Sequence, residues 1–166
     1  LPWAGSRLHR IDDFSGARCD DIASKIAEFT VSSNYRAVFA PSHYLGEGVA
    51  DEWMRVDKDL TIALRRRLDA CGGPDVRIFY PLATSMAVFR NQQQRSGIVA
   101  SLSQLPIQSL WLRMHPFGSH CGHVNLLQYI QACRDLHSLG LPLVAERCGS
   151  IGVPLLAFGA VSGLEA

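Results

Sequence analysis

The sequence contains no apolar run near the roughly 20 residues that a membrane-crossing helix needs. Its first residues, Leu1-Pro2-Trp3-Ala4-Gly5-Ser6, have neither the basic segment nor the apolar core of a secretory leader, so a soluble, unexported protein is expected. No charge of one sign dominates: 16 Lys and Arg stand against 15 Asp and Glu, for a net charge of +1. Phosphate backbones are bound by clustered basic side chains that displace counterions, so neither nucleic acid nor a membrane is an expected partner. The one dense basic run, Arg65-Arg66-Arg67, falls in a helical pattern that spreads consecutive residues over different faces. Cysteine is sparse, with five residues (Cys19, Cys71, Cys121, Cys133 and Cys148) and no C-x-x-C pair. That count and spacing argue against a disulfide framework or a zinc ribbon and fit the reduced thiols of a cytoplasmic protein. The G-x-G-x-x-G and Walker signatures are both missing, so no nucleotide is implied and the cofactor stays unknown.

What is present is an ordinary globular composition, 48% hydrophobic and 19% charged over 166 residues. A chain of this length can bury about 70% of the surface it exposes when unfolded. Four short runs rich in β-branched or aromatic residues, 35–41, 76–81, 109–115 and 142–146, read as strands. Between them Trp53, Val56, Leu60, Leu64 and Leu68 step by three or four residues, as do Leu126 or Leu127, Ile130, Cys133 and Leu136. These are amphipathic helices with one buried stripe. Ile22, Ile26 and Phe29 or Thr30 mark an earlier helix, and residues 91–102 form a weaker one. Cys71-Gly72-Gly73-Pro74-Asp75 and Ser138-Leu139-Gly140-Leu141-Pro142 supply helix stops ahead of the next strand.

The strand starts, near 36, 76, 109 and 142, lie 40, 33 and 33 residues apart, the length of a βα unit, and strands joined through helices run parallel. Residues 151–163 are apolar on every side and follow Arg147 too closely for a crossover to a fifth strand, so they are expected to form a helix that is buried or packs against something outside this chain. The fold expected is α/β: consecutive parallel βα units forming part of a TIM-type (β/α) barrel, since four units are about half of a barrel that takes about 250 residues. The alternative is a flavodoxin-like open parallel sheet. Residues 1–166 are accordingly expected to be a single α/β domain or a partial barrel. The absence of an initial Met and the apolar last segment lead to an expectation of a homo-oligomer or of the remainder of a larger chain.

In parallel α/β sheets ligands sit beyond the carboxyl ends of the strands. Three strands are expected to end at Ala40-Pro41, Tyr80-Pro81 and His115-Pro116, because proline cannot donate to a ladder. The rim then carries Ser42, His43 and Tyr44; Tyr80, Thr84 and Ser85; Arg113, His115 and His120; and Glu146 with Arg147. Period-two alternation puts Arg113 and His115 on one face and separates Glu146 from Arg147. His43, His115 and Glu146 are the expected catalytic residues. The histidines would exchange protons, and Glu146 would orient one of them or act as base. Tyr80 and Arg113 are expected to bind substrate, Arg113 by holding an anionic oxygen. Gly149 and Ser150, in the loop Cys148-Gly149-Ser150-Ile151-Gly152, would offer backbone N–H groups to the same anion.

Each residue also has a plainer role available. The histidines could bond loop carbonyls, and Arg113 with Glu146 could form a structural ion pair across adjacent strands. His115, His120, Cys121 and His123 crowd into nine residues, but H-x4-H-C-x-H matches no standard metal spacing, and no metal is assigned. The function expected is a (β/α)-barrel enzyme using acid–base chemistry on a small anionic or carbonyl-bearing metabolite. The alternatives are a noncatalytic ligand-binding or assembly module and a metal-dependent hydrolase.

Overall fold

A computed structural model of the chain describes residues 7–48, 50–117 and 121–165. After a 3-10 turn at Ile11–Phe14, the elements run α1 (Ala17–Ser32), β1 (Ala37–Phe39), β2 (Tyr44–Leu45), α2 (Ala50–Ala70) and β3 (Arg77–Ser85). They continue with α3 (Met86–Arg90), α4 (Gln92–Leu102), β4 (Ser109–His115), α5 (His123–His137), β5 (Leu143–Glu146), a 3-10 turn, α6 (Gly152–Ala157) and β6 (Gly163–Glu165).

All strand pairs are parallel, and the sheet order is β1-β3-β4-β5-β6, with β2 also on β3. Since β1 and β2 pair with opposite ends of the same edge of β3, they act as one interrupted strand. Spatial order therefore equals sequence order, and no reversal point exists where a doubly wound sheet would change direction. The flavodoxin-like alternative is excluded on that ground. The chain is a half-barrel of consecutive βα units, the arrangement that TIM-type barrels close into a ring.

One face of this sheet carries the helices. Ile78, Tyr80, Leu82 and Thr84 of β3, Leu110 and Leu112 of β4, and Leu143 and Ala145 of β5 are buried to within about one per cent. They meet the helical stripes, of which Leu64 and Leu68 of α2 are fully buried, while Leu60 packs in a second cluster with Phe14, Ile22 and Val56. Each such aliphatic side chain contributes roughly 1.5–3 kcal/mol on burial. The expected stripe of α2 is thus present, and the expected helix at 91–102 begins at Gln92, capped by the Asn91 side chain accepting from the Gln94 N–H. The other face stays open: Phe39, Phe79, Trp111, Arg113 and His115 lie on it, and none is buried. Phe39 packs edge-on to Phe79 and Trp111, and Phe79 and Trp111 are near-parallel.

Two expectations are corrected. Residues 151–163 are not one helix: α6 ends at Ala157, Gly159 takes a left-handed turn at φ +67°, and β6 joins β5 in parallel. The crossover rule held, because the chain from Glu146 to Gly163 has room for a helix; the fifth strand position simply starts later than the apolar segment does. Pro81, too, does not end its strand, which runs on to Ser85. Arg77 N–H donates to Arg36 (3.1 Å) and Phe79 C=O accepts from Ala40 (2.8 Å), so odd residues of β3 turn their main-chain groups toward β1. The N–H that Pro81 lacks would point to that side, where β1 has stopped and β2 has not begun. The ladder loses nothing there, and proline is tolerated inside a central strand.

Candidate functional site

At the carboxyl ends of the strands, on the open face, Tyr44, Ala83 and Arg113 stand in register on three neighbouring strand positions. Glu146 and Glu165 continue the same face on β5 and β6, paired in register with each other. A cavity of about 360 Å³ opens here. Phe39, Pro81 and Ala83 form its floor, and Ser42, His43, Tyr44, Arg113 and Glu146 its polar wall. The structure thus brings three expected residues, His43, Arg113 and Glu146, to one cleft. A larger cavity, about 550 Å³, lies on the helix side between the first 3-10 turn, α1 and α2. No strand end reaches it, and its charges are partly spent on the exposed Arg66–Asp20 ion pair, so the smaller cleft holds the chemistry of interest.

Arg113 and Glu146 form an ion pair: Nε and Nη2 of the guanidinium lie 2.6 and 2.5 Å from the same carboxylate oxygen, Oε2. The pair is asymmetric in burial, with the Arg113 side chain 48% exposed and Glu146 7%. Glu146 therefore fixes the direction of the guanidinium, whose remaining N–H groups can still meet a ligand from the cleft. Glu165, next along, contributes Oε2, a buried oxygen that no group among the described residues bonds.

His43 sits in the gap between β1 and β2, a position with no strand partner. Its backbone N–H donates instead to Asp57 Oδ2 (2.9 Å), and its ring Nδ1 lies 2.6 Å from Asp57 Oδ1. Asp57 projects from α2 and is fully buried. The ring stacks on Trp53 at 4.2 Å between centroids and meets Phe14 edge-on at 4.5 Å. Tyr80 is placed differently from the rim position expected of it. Lying mid-strand on the helix side, it is fully buried and donates its hydroxyl to Asp57 Oδ2 at 2.9 Å. Burial, with the Asp57 carboxylate beside it, pushes the Tyr80 phenol well above its ordinary pKa, so the hydroxyl stays a neutral donor. Tyr80 reaches the cleft only through Asp57 and His43.

The other expected residues stand apart from the cleft wall. His115 is exposed at the end of β4, on the same face as Arg113 as the alternation requires. Gly149 and Ser150 lie in the 3-10 turn after β5, where Gly149 takes φ +56°, a backbone conformation that glycine adopts without strain. The α6 helix beyond them is only six residues long. Of the metal candidates, His120 lies outside the described residues, and among the described residues no cluster of three His, Cys, Asp or Glu side chains could hold a metal. No helix among them is long and apolar enough to cross a membrane. Cys19, Cys71, Cys133 and Cys148 carry free thiols.

Asp57 was not singled out by the sequence reading. It falls on the buried stripe of α2, between Met54 and Leu60 in steps of three, and a carboxylate at a core position of an amphipathic helix is the signal that would have found it.

No known protein family matches the sequence, and no curated protein matches it. Among solved structures, the chain is similar in backbone to the intracellular xylanase of Thermoanaerobacterium saccharolyticum JW/SL-YS485. The TM-score is 0.45 at 11% identity over 78% of this chain and 41% of the xylanase. A variant of that enzyme in complex with xylotriose matches at TM-score 0.45 and 12% identity, over 78% of this chain and 40% of the other. The chain thus spans about two-fifths of the structures it resembles, and no residue role is carried over from them.

Proposed function

We propose that residues 1–166 form a single α/β unit of a cytoplasmic (β/α)-barrel enzyme that uses acid–base chemistry on a small metabolite with an anionic or carbonyl oxygen. The observation that carries this reading is the convergence of His43, Arg113 and Glu146 on one cleft at the carboxyl ends of consecutive strands. Arg113, oriented by Glu146, polarises or holds the oxygen; His43 exchanges the proton; Glu146 is a carboxylate able to take part once a ligand draws Arg113 away from it. His115, two residues beyond Arg113 on the same face of β4, is a second proton carrier for the outer end of a ligand. Charge limits the ligand's valence. Glu146 already neutralises Arg113 and Glu165 adds a further carboxylate, so a monoanion or a neutral carbonyl compound fits better than a polyanion.

Thermal-shift and calorimetric titrations with inorganic phosphate, acetate and pyruvate test the reading, using the native chain and Arg113→Met. Binding to the native chain that Arg113→Met abolishes supports it. Binding that persists undiminished in the variant removes Arg113, and with it the proposed ligand class.

A further inference from the structure

His43 is held more completely than a strand end requires. The break between β1 and β2 leaves its backbone N–H without a ladder partner, and a turn or a water would satisfy that group. Instead a fully buried carboxylate is spent on it, and the same carboxylate takes the ring: Asp57 Oδ2 accepts the backbone N–H while Oδ1 faces Nδ1 at 2.6 Å. Tyr80 then approaches from β3 to donate to Oδ2 at 2.9 Å. Trp53 covers one face of the imidazole, and Phe14 abuts it edge-on.

We infer that Asp57 and Tyr80 are positioning residues that fix His43 in the tautomer carrying its proton on Nδ1, leaving Nε2 as the nitrogen that exchanges protons with a ligand. The inference rests on the reading of His43 as the acid–base group. A carboxylate only accepts, and two of its three neighbours, the backbone N–H and the Tyr80 hydroxyl, already occupy Oδ2. The proton between Oδ1 and the ring therefore belongs to Nδ1, and a neutral imidazole protonated there has its lone pair on Nε2. Among the described residues no protein group bonds Nε2, and the His43 side chain keeps 15% of its surface exposed. A carboxylate behind an imidazole does the same work in hydrolytic triads, where it sets tautomer and ring direction. Here the phenol adds a second level. By donating to Oδ2 it satisfies the buried carboxylate without bringing a counter-charge, so the carboxylate's strongest remaining interaction is with the ring.

The test is spectroscopic and needs no substrate. Histidine ¹⁵N–¹H correlation spectra at alkaline pH should show the Nδ1–H form for His43 in the native chain. In Asp57→Asn, with folding verified by circular dichroism, the population should move to Nε2–H, and carbethoxylation of His43 by diethyl pyrocarbonate should slow severalfold as Nε2 loses its lone pair. Tyr80→Phe keeps the core volume and covers the case in which Asp57→Asn fails to fold. It should retain the Nδ1–H form while moving that proton's resonance downfield, because Oδ1 becomes the better acceptor. An Nε2–H form in the native chain overturns the inference, as does an unchanged Nδ1–H resonance in Tyr80→Phe. Neither result bears on whether anions bind at Arg113, so the two readings fail separately.

Discussion

Arg113 grips Glu146 by a single carboxylate oxygen, with about half of the arginine side chain in solvent and the Glu146 side chain almost wholly enclosed. The two partners are therefore unequal, and removing them has unequal consequences. Breaking a fully buried pair costs about 3–5 kcal/mol. With one partner half in water, Arg113→Met should cost about 1–2 kcal/mol, mostly the penalty of leaving Glu146 enclosed without its donor. Urea unfolding measures it. A change below a few tenths would mean that the pair contributes nothing to the fold and that Arg113 is held for ligands alone.

Replacing both partners should be milder than replacing one. Arg113→Met with Glu146→Leu removes the enclosed carboxylate together with its cation, and an apolar pair of similar volume is often neutral. The double variant should recover most of the stability lost in Arg113→Met, with a coupling of at least about 0.5 kcal/mol in the double-mutant cycle. Strict additivity would count against the pair.

Thiol reactivity should separate the cysteines by position. Cys71 is exposed after α2, whereas Cys133 is fully buried on α5, its thiol pushed up to about 12 chiefly by burial, with Cys148 adding to it. Cys148 is also buried and raised, again chiefly by burial. Iodoacetamide at mildly alkaline pH, followed by mass spectrometry, should label Cys71 quickly and leave Cys133 and Cys148 unlabelled until denaturant is added, because the thiolate is the nucleophile. Labelling of Cys133 in the folded chain at the rate of Cys71 would contradict its packing.

The same groups set an alkaline limit. A thiol whose folded pKa is raised from 9.0 to about 12 keeps its proton in the folded state after the unfolded chain has lost it. Folding then binds the proton more tightly, so the contribution to stability is complete below about pH 9 and is lost progressively as pH rises toward 12. The buried Tyr80 and Tyr129 phenols, both raised chiefly by burial, act in the same direction at still higher pH. Urea midpoints should fall between pH 8 and pH 10.5, and Cys133→Ala, although less stable throughout, should fall less steeply. Equal slopes in the two chains would refute the assignment to Cys133.

Most of the architecture was legible because it is written in periodicity. The strand runs at 109–115 and 142–146 and the stripe from Trp53 to Leu68 need no tertiary information to be recognised, and their spacing fixes a parallel sheet. The two misreadings concern residues whose meaning depends on a neighbour far along the chain. Pro81 looked like a strand end because the gap in the opposing strand, forty residues earlier, is invisible from Val76 to Pro81 alone. The segment after Ser150 looked like one helix because Gly163, Leu164 and Glu165 are a strand only by virtue of β5 beside them. In the site, Arg113 and Glu146 could be paired from alternation and strand adjacency. Asp57 could not, since its partner His43 lies in an interruption of the sheet, where no periodic rule says which way a side chain turns.

A strand that pairs with the one made just before it never waits for residues still to be synthesised. In this sheet β3 closes on β1 and β2, β4 on β3, β5 on β4 and β6 on β5, each across a loop of one βα unit. Closing a loop of that length carries a modest entropic cost that does not grow as the chain lengthens, so no late step must bring distant ends together. The half-barrel can therefore be laid down unit by unit as it leaves the ribosome, each strand covering the edge left by the one before it.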